Sequence, residues 1–288
     1  MLSSITWTVD PEIFRIFGHP IRWYGLLWAS ALMTTAWIVS RMYKHEKLPE
    51  AWFEKLFLWV AIGLIIGARL GHCLFYAPGY YLSHPLEILA IWEGGLASHG
   101  GAIGMVVAIW LYSRRITKKS MIWALDRLVV GVALGATCIR LGNLFNHEIY
   151  GGPTDLPWGF RFIANIDEVL RTGVDPVFTP PSHPTQLYEV LAYLTVFAIG
   201  MFLYWKKHAY ERQGLILGVS LIGIFLSRFL IEFLKHVQAG FELDMRQAIG
   251  IDMGQLLSLP FVIWGIWLVW NALRKPPVKE APITVKKK

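Results

Sequence analysis

Four arginines, Arg69, Arg127, Arg140 and Arg228, fall inside long apolar stretches of this sequence. A guanidinium in hydrocarbon is costly, so each needs a counter-charge, a route to the interface or an anionic ligand. Arg140 stands at the end of such a stretch, in RLGNLFNHEIYGG, and is followed by Asn143, Asn146 and Glu148. Arg228 and Glu232 are four residues apart and share a helix face. His99 sits within EGGLASHGG, Tyr24 beside Trp23, and HPTQLYE (183–189) and DMGQ (252–255) open two further apolar runs. A planar guanidinium fork matches phosphate at two points, and imidazole suits proton transfer near neutral pH. The set therefore reads as a site for anion binding and proton transfer. Structural readings stand beside it. Arg228 and Glu232 could simply neutralise each other, Arg69 could snorkel, His99 could bond between helices, and Tyr24 could belong to an aromatic belt. Asp126 and Arg127 read as a structural pair or as interfacial anchors.

These residues must be positioned by an apolar chain. Of 288 residues, 55% are hydrophobic and 16% charged, with a mean hydropathy of +0.46. That is too apolar for an ordinary soluble domain. Seven stretches, at 21–42, 52–76, 88–112, 122–145, 186–206, 213–234 and 252–272, each approach or exceed the ~20 residues that cross a bilayer as a helix. The expectation is an all-α polytopic membrane protein: a segment 1–20, a seven-helix domain over 21–272, a small extracytoplasmic cap over 146–185 between helices 4 and 5, and a basic tail over 273–288. The cap is rich in Gly and Pro and contains one plausible strand, WGFRF. No cleaved leader is expected, because Asp10, Glu12 and Arg15 interrupt the first twenty residues. Cys73 and Cys138 fall inside expected spans and read as small buried hydrophobes, with neither a disulfide nor a metal implied.

The net charge of +7 does not point to nucleic acid, because the basic residues are sorted by loop. Arg41, Lys44, Lys47, Lys55, Arg114, Arg115, Lys118, Lys119, Lys206, Lys207, Arg212 and six in the tail share one side; Arg15, Arg22, Arg161, Arg171, Lys235 and Arg246 share the other. The positive-inside rule then places the C-terminus in the cytoplasm and the N-terminus outside. With the spans alternating in direction, Tyr24, Arg69, His99, Arg140, Asn143, HPTQLYE, Arg228, Glu232 and DMGQ all come to the outer half. Only Glu232 lies within the spans to balance Arg69, Arg140 and Arg228, while Glu148 and Glu189 stand at the rim. That leaves a cationic surplus, for which the available anion is a phospholipid headgroup. A short echo, RLGHCLF at 69–75 and RLGNLFN at 140–146, closes two outward-running helices.

On these residues the chain resembles the phosphatidylglycerol–prolipoprotein diacylglyceryl transferase family of bacterial inner membranes, nearly end to end. RLGNLFNHEIYGG is similar to the family signature, and SHGGAIG (98–104), HPTQLYE and SRFLIEFLK (227–235) are also typical. Ile139, Leu144 and Ile224 stand where the family commonly has Gly, Phe and Tyr. The resemblance implies transfer of the diacylglyceryl group of phosphatidylglycerol to the lipobox cysteine of a prolipoprotein signal peptide. A thioether forms and glycerol 1-phosphate leaves, with no cofactor or metal and with no partner beyond these substrates and the membrane lipids. On that reading His99 takes the thiol proton, directly or through Tyr24. Arg140 and Arg228 hold the phosphodiester and stabilise the leaving phosphate. Asn143 and Glu148 orient the headgroup or Arg140, Glu232 fixes Arg228, and Gly151 lets the cap backbone approach the headgroup. The competing readings are a transporter or flippase for an anionic solute or lipid and an intramembrane lipid phosphatase. A transporter would need polar groups through the inner halves of the spans, which are nearly free of them.

Overall fold

Long runs of Leu, Ile, Val, Ala and aromatics with few breakers can satisfy their backbone only as helices in an apolar medium. In a computed structural model, which describes residues 4–91, 94–235, 245, 248 and 250–278, they do so. The helices are α1 (Trp23–His45), α2 (Glu50–Phe75), α3 (Pro78–Ser83), α4 (Ser98–Tyr112), α5 (Met121–Phe145), α6 (Ile166–Thr172), α7 (Thr185–Lys207), α8 (Leu215–Glu232) and α9 (Met253–Arg274). Among the described residues five of them, α2, α5, α7, α8 and α9, are long and apolar enough to cross a membrane. The protein is thus an all-α membrane protein, with β-structure confined to short strands: β1 (Ile5–Thr6), β2 (Glu12–Ile16), β3 (His19–Arg22) and β4 (Phe160–Arg161). The tail beyond Val278 lies outside the described residues.

The chain divides into two compact units, one comprising Leu128–Val278 with the chain before Ile38, the other Ile38–Arg127. In the second unit α2 and α4 are in backbone contact along a stripe of small residues, the arrangement by which membrane helices gain packing without a hydrophobic drive. A Cβ on Gly67 would lie 2.7 Å from Gly104 Cα, and one on Gly71 would lie 2.6 Å from Gly100 Cα. No side chain fits there. Gly104→Ala is expected to cost about 1–3 kcal/mol by overpacking, read as a lower thermal midpoint in detergent. An unchanged midpoint would mean the two helices part without penalty.

Among the described residues, the α-helix within the expected span over 88–112 starts at Ser98. Pro85–Leu89 forms a 3-10 turn, and Gly94 and Gly95 hold φ of +89° and +70°. Arg69, which is 4% exposed, holds this stretch. Its guanidinium donates to the carbonyls of Ile88 at 2.9 Å, Gly94 at 2.6 Å, Gly95 at 3.3 Å and Glu87 at 2.5 Å. Glu87 O also accepts from Ala90 N–H at 3.1 Å, so Arg69 fastens both the 3-10 turn and the glycines that follow it. Arg69 is therefore a pin for its loop, neither snorkelling nor open for a ligand. Arg127 is likewise structural. Its Nε lies 2.9 Å from Glu46 Oε1, its Nη2 bonds Glu46 Oε2, and its guanidinium stacks 3.9 Å above Trp123. Its partner is Glu46, across 81 residues, and not its neighbour Asp126.

In the first unit α8 and α9 approach through Gly218 and Gly265, where a Cβ on either would lie 2.8 Å from the other's carbonyl oxygen. Phe225 and Phe261 stack 4.3 Å apart beside that crossing. The start of α9 is fixed by a capping box: Asp252 Oδ1 accepts from Gln255 N–H at 2.9 Å and Gln255 Oε1 from Asp252 N–H at 3.0 Å. Gln255 Nε2 also donates to Phe229 O at 3.1 Å, so DMGQ ties α9 to α8. The segment between α5 and α7 folds around Leu144, Phe160 and Phe162, with Trp7, Tyr150 and Leu187 against them. The strand expected over WGFRF is reduced to β4, which pairs in parallel with β1. Both cysteines are free, Cys73 buried and Cys138 half-buried.

Candidate active site

RLGNLFNHEIYGG changes from helix to turn within a few residues, and that change builds the site. α5 ends at Phe145; His147 then takes φ +55° and Ile149 φ +60°. The N–H of Glu148 returns to Asn143 O at 3.0 Å, closing the helix end. A left-handed backbone is unfavourable for a β-branched residue, and such strain persists only where surrounding contacts enforce it. Here they come from HPTQLYE. Thr185 Oγ1 donates to Ile149 O at 3.0 Å and Gln186 Nε2 to Glu148 O at 2.7 Å, both from fully buried side chains on the first turn of α7. The turn brings three side chains together: Asn143 Nδ2 at 2.9 Å and Asn146 Nδ2 at 3.1 Å both donate to Glu148 Oε1. Arg140 Nη1 donates to Asn143 Oδ1 at 3.1 Å, so Arg140, Asn143 and Glu148 are linked.

The counter-charge of Arg140 corrects the sequence reading. Glu189 is not at the rim; it is fully buried, with Oε2 2.9 Å from Arg140 Nε as an ion pair. Its other oxygen accepts from Lys235 Nζ at 3.1 Å, and Lys235 also reaches Glu232 Oε2 at 3.3 Å. Lys235 is only 7% exposed. Two cations and two carboxylates therefore alternate through the site, Arg140–Glu189–Lys235–Glu232, and Glu232 bonds Lys235. Arg228, half-buried, makes no hydrogen bond or ion pair among the described residues. Tyr193, one turn beyond Glu189 and 4% exposed, lies within hydrogen-bonding reach of Arg140 and close enough to Arg228 to feel its charge. The cationic surplus is thus narrower than the sequence suggested and rests on Arg228.

The remaining residues are placed as follows. Tyr24, in the first turn of α1, lays its ring on the backbone at Gly142, where a Cβ would meet Tyr24 Cδ2 at 2.6 Å. Gly151 makes room for Leu234 O, 2.5 Å from its would-be Cβ, and for the Thr185 methyl at 2.7 Å; its strand-like pairing with Lys235 joins this turn to the end of α8. His99 is exposed on the first turn of α4, in the other unit. Glu189 was expected only at the rim, and Lys235, Gln186, Thr185 and Tyr193 had no site role in the sequence reading. The signal was the spacing 185, 186, 189 and 193, which puts all four on one face of α7.

His147 ties the site to the N-terminal segment. Its Nδ1 accepts from Ile163 N–H at 3.1 Å and its Nε2 bonds Val9 O at 2.9 Å, which assigns the Nε2–H tautomer. Burial holds its pKa below the ordinary value, while the Val9 carbonyl and Asp10 pull the other way. A depressed imidazole pKa means that the unfolded chain binds more protons in this window. Stability from the neutral ring is therefore complete above about pH 6.5 and is lost as pH falls toward the lowered folded value. The thermal midpoint is expected to fall between about pH 7.5 and about pH 5.5, with a smaller fall in His147→Gln. Equal slopes would show that His147 stays uncoupled from folding.

Comparison with known proteins gives the family. The prolipoprotein diacylglyceryl transferase family model matches residues 11–271. The chain belongs to that family. A phosphatidylglycerol–prolipoprotein diacylglyceryl transferase of Porphyromonas gingivalis is 57% identical over 276 residues, covering 95% of this chain and 96% of the relative. Proteins of the same name from Chloroherpeton thalassium and Bacteroides fragilis are 41% and 42% identical, over 96% and 97% of this chain and 98% and 99% of their own lengths. The Arg140–Glu189–Lys235–Glu232 network is the candidate site in this member of the diacylglyceryl transferase family. The strained turn and its buried supports hold Asn143 and Glu148 in one geometry.

Proposed function

We propose that the protein transfers the diacylglyceryl group of phosphatidylglycerol to the lipobox cysteine thiol of a prolipoprotein. The observation that carries this reading is the 57% identity, over 95% of the chain, to a protein named for that activity. The site supports it in chemical terms. A sulfur–carbon bond forms at the glyceryl carbon, the carbon–oxygen bond breaks, and glycerol 1-phosphate leaves with the electron pair. The thiolate is the reactive form, so a base must take the thiol proton. We assign that role to His99, directly or through Tyr24. Negative charge gathers on the departing phosphate, and Arg228 and Arg140 supply fixed cations for it. Glu189, itself bound by Lys235, holds Arg140, while Asn143, Glu148 and Gly151 shape the place of the headgroup.

The same reading proposes seven spans, α1 and α4 joining the five, with the N-terminus and the 146–185 cap outside and the C-terminus in the bacterial cytoplasm. The loop distribution of Lys and Arg supports this orientation. α1, with 23 residues, is long enough to cross.

The test is incubation of the purified protein with phosphatidylglycerol and a lipobox peptide. Thioether-linked peptide together with glycerol 1-phosphate is the expected product pair. Phosphate released without peptide modification would replace this reading with a phosphatase. His99→Gln is expected to lose at least about a hundredfold in rate. A His99→Gln enzyme with the wild-type rate from about pH 6 to about pH 9 would remove His99 as the base.

A further inference from the structure

A polar pocket lies where the end of α1 meets the start of α2. It encloses about 300 Å³ and is lined by Ser40, Tyr43, Lys44, Lys47, Glu50 and Phe53, among others. Its back wall is buried. Tyr43 is 1% exposed and its hydroxyl is 3.1 Å from that of Tyr112. Lys47 is held at the left-handed position that closes α1, with φ +54° and the N–H of Leu48 bonded to Tyr43 O at 2.9 Å. Glycine is the favoured residue there because it alone meets no Cβ penalty. A lysine is strained at that position, and strain of this kind is a pointer to function.

Charge completes the argument. Glu46 stands between the two lysines in sequence, but its carboxylate is bound by Arg127. Among the described residues Lys44 and Lys47 make no ion pair. With Glu50 the pocket carries a net single positive charge, and the start of α2 beside it has no side-chain cap on its N–H groups. One negative charge next to an apolar wall is the signature of a lipid phosphodiester, and basic pockets between membrane helices take such headgroups.

We propose that this pocket binds the phosphodiester of a membrane glycerophospholipid as a site distinct from the Arg140 network. On the proposed orientation the lipid belongs to the cytoplasmic leaflet. Lys44 and Lys47 contact the phosphate, and Phe53 meets the start of an acyl chain. Native mass spectrometry of the purified full chain in detergent, with phosphatidylglycerol added, counts the lipids retained. The Lys44→Gln/Lys47→Gln double variant is expected to retain one lipid fewer than wild type, with about tenfold weaker binding at that site and unchanged transfer activity. Lys47→Gly removes one amine and relieves the strain. It should unfold no earlier than wild type in lipid-free detergent and still lose that lipid. Wild-type lipid counts in both variants would overturn the proposal. So would equally tight binding of chain-free glycerol phosphate, which would make the pocket a soluble-anion site.

Discussion

Glu189→Gln is expected to lower the thermal midpoint of the purified protein by several degrees and to reduce diacylglyceryl transfer at least tenfold. The carboxylate is fully buried between Arg140 Nε at 2.9 Å and Lys235 Nζ at 3.1 Å. Glutamine keeps the volume and removes the charge. Two cations then share the single carboxylate of Glu232, which touches only Lys235 of the pair. Removing one member of a buried ion pair costs about 3–5 kcal/mol, because the partner's charge remains buried without compensation. Arg140 would also lose the contact that sets its rotamer, so the fall in activity should exceed that explained by the unfolded fraction. Thermal unfolding in detergent and the transfer assay at a temperature where the variant is folded separate the two effects. A Glu189→Gln protein with wild-type stability would mean that the network is solvated, contrary to the burial described above.

Arg228→Lys is expected to behave oppositely: near-normal stability with a large loss of transfer. Arg228 gives up no hydrogen bond or ion pair among the described residues, so lysine costs the fold little. If Arg228 grips a phosphate at two points, lysine reduces that grip to a point charge. Hydrogen bonds to charged groups contribute about 1.5–3 kcal/mol, equivalent to a rate loss of roughly ten- to a hundredfold. Arg140→Lys should lose both stability and rate, since lysine cannot satisfy Glu189 and Asn143 together. Near-normal transfer in both lysine variants would rule out two-point phosphate binding.

Membrane class, the positions of most helices and the identity of the central motif were legible in the sequence, because they depend on local pattern. Long apolar runs have one satisfactory backbone solution in lipid, and α1, α2, α5, α7, α8 and α9 start within about three residues of the expected bounds. The exception is α4, which starts at Ser98, after a stretch whose carbonyls are bound by Arg69 from far enough away in sequence to leave no local sign.

The echo between RLGHCLF and RLGNLFN shows where local pattern stops. Both arginines close apolar helices with the same two residues following. Arg69 meets the backbone carbonyls of a nearby glycine-rich loop and becomes a structural pin. Arg140 meets Glu189, 49 residues away, and through it Lys235. Charge pairing is decided by distance in space, and a sequence gives distance only along the chain. From the residue list the acids appeared too few for the arginines; the fold brings Glu189 inside and adds Lys235. By itself the sequence determined that cationic and polar groups gather at the ends of apolar helices in a pattern suited to a phosphate-bearing lipid. Only the tertiary structure decided which guanidinium is already paired and which, Arg228, remains without a protein partner among the described residues. The physical reason is that a buried charge takes whichever counter-charge the packing delivers, regardless of sequence separation.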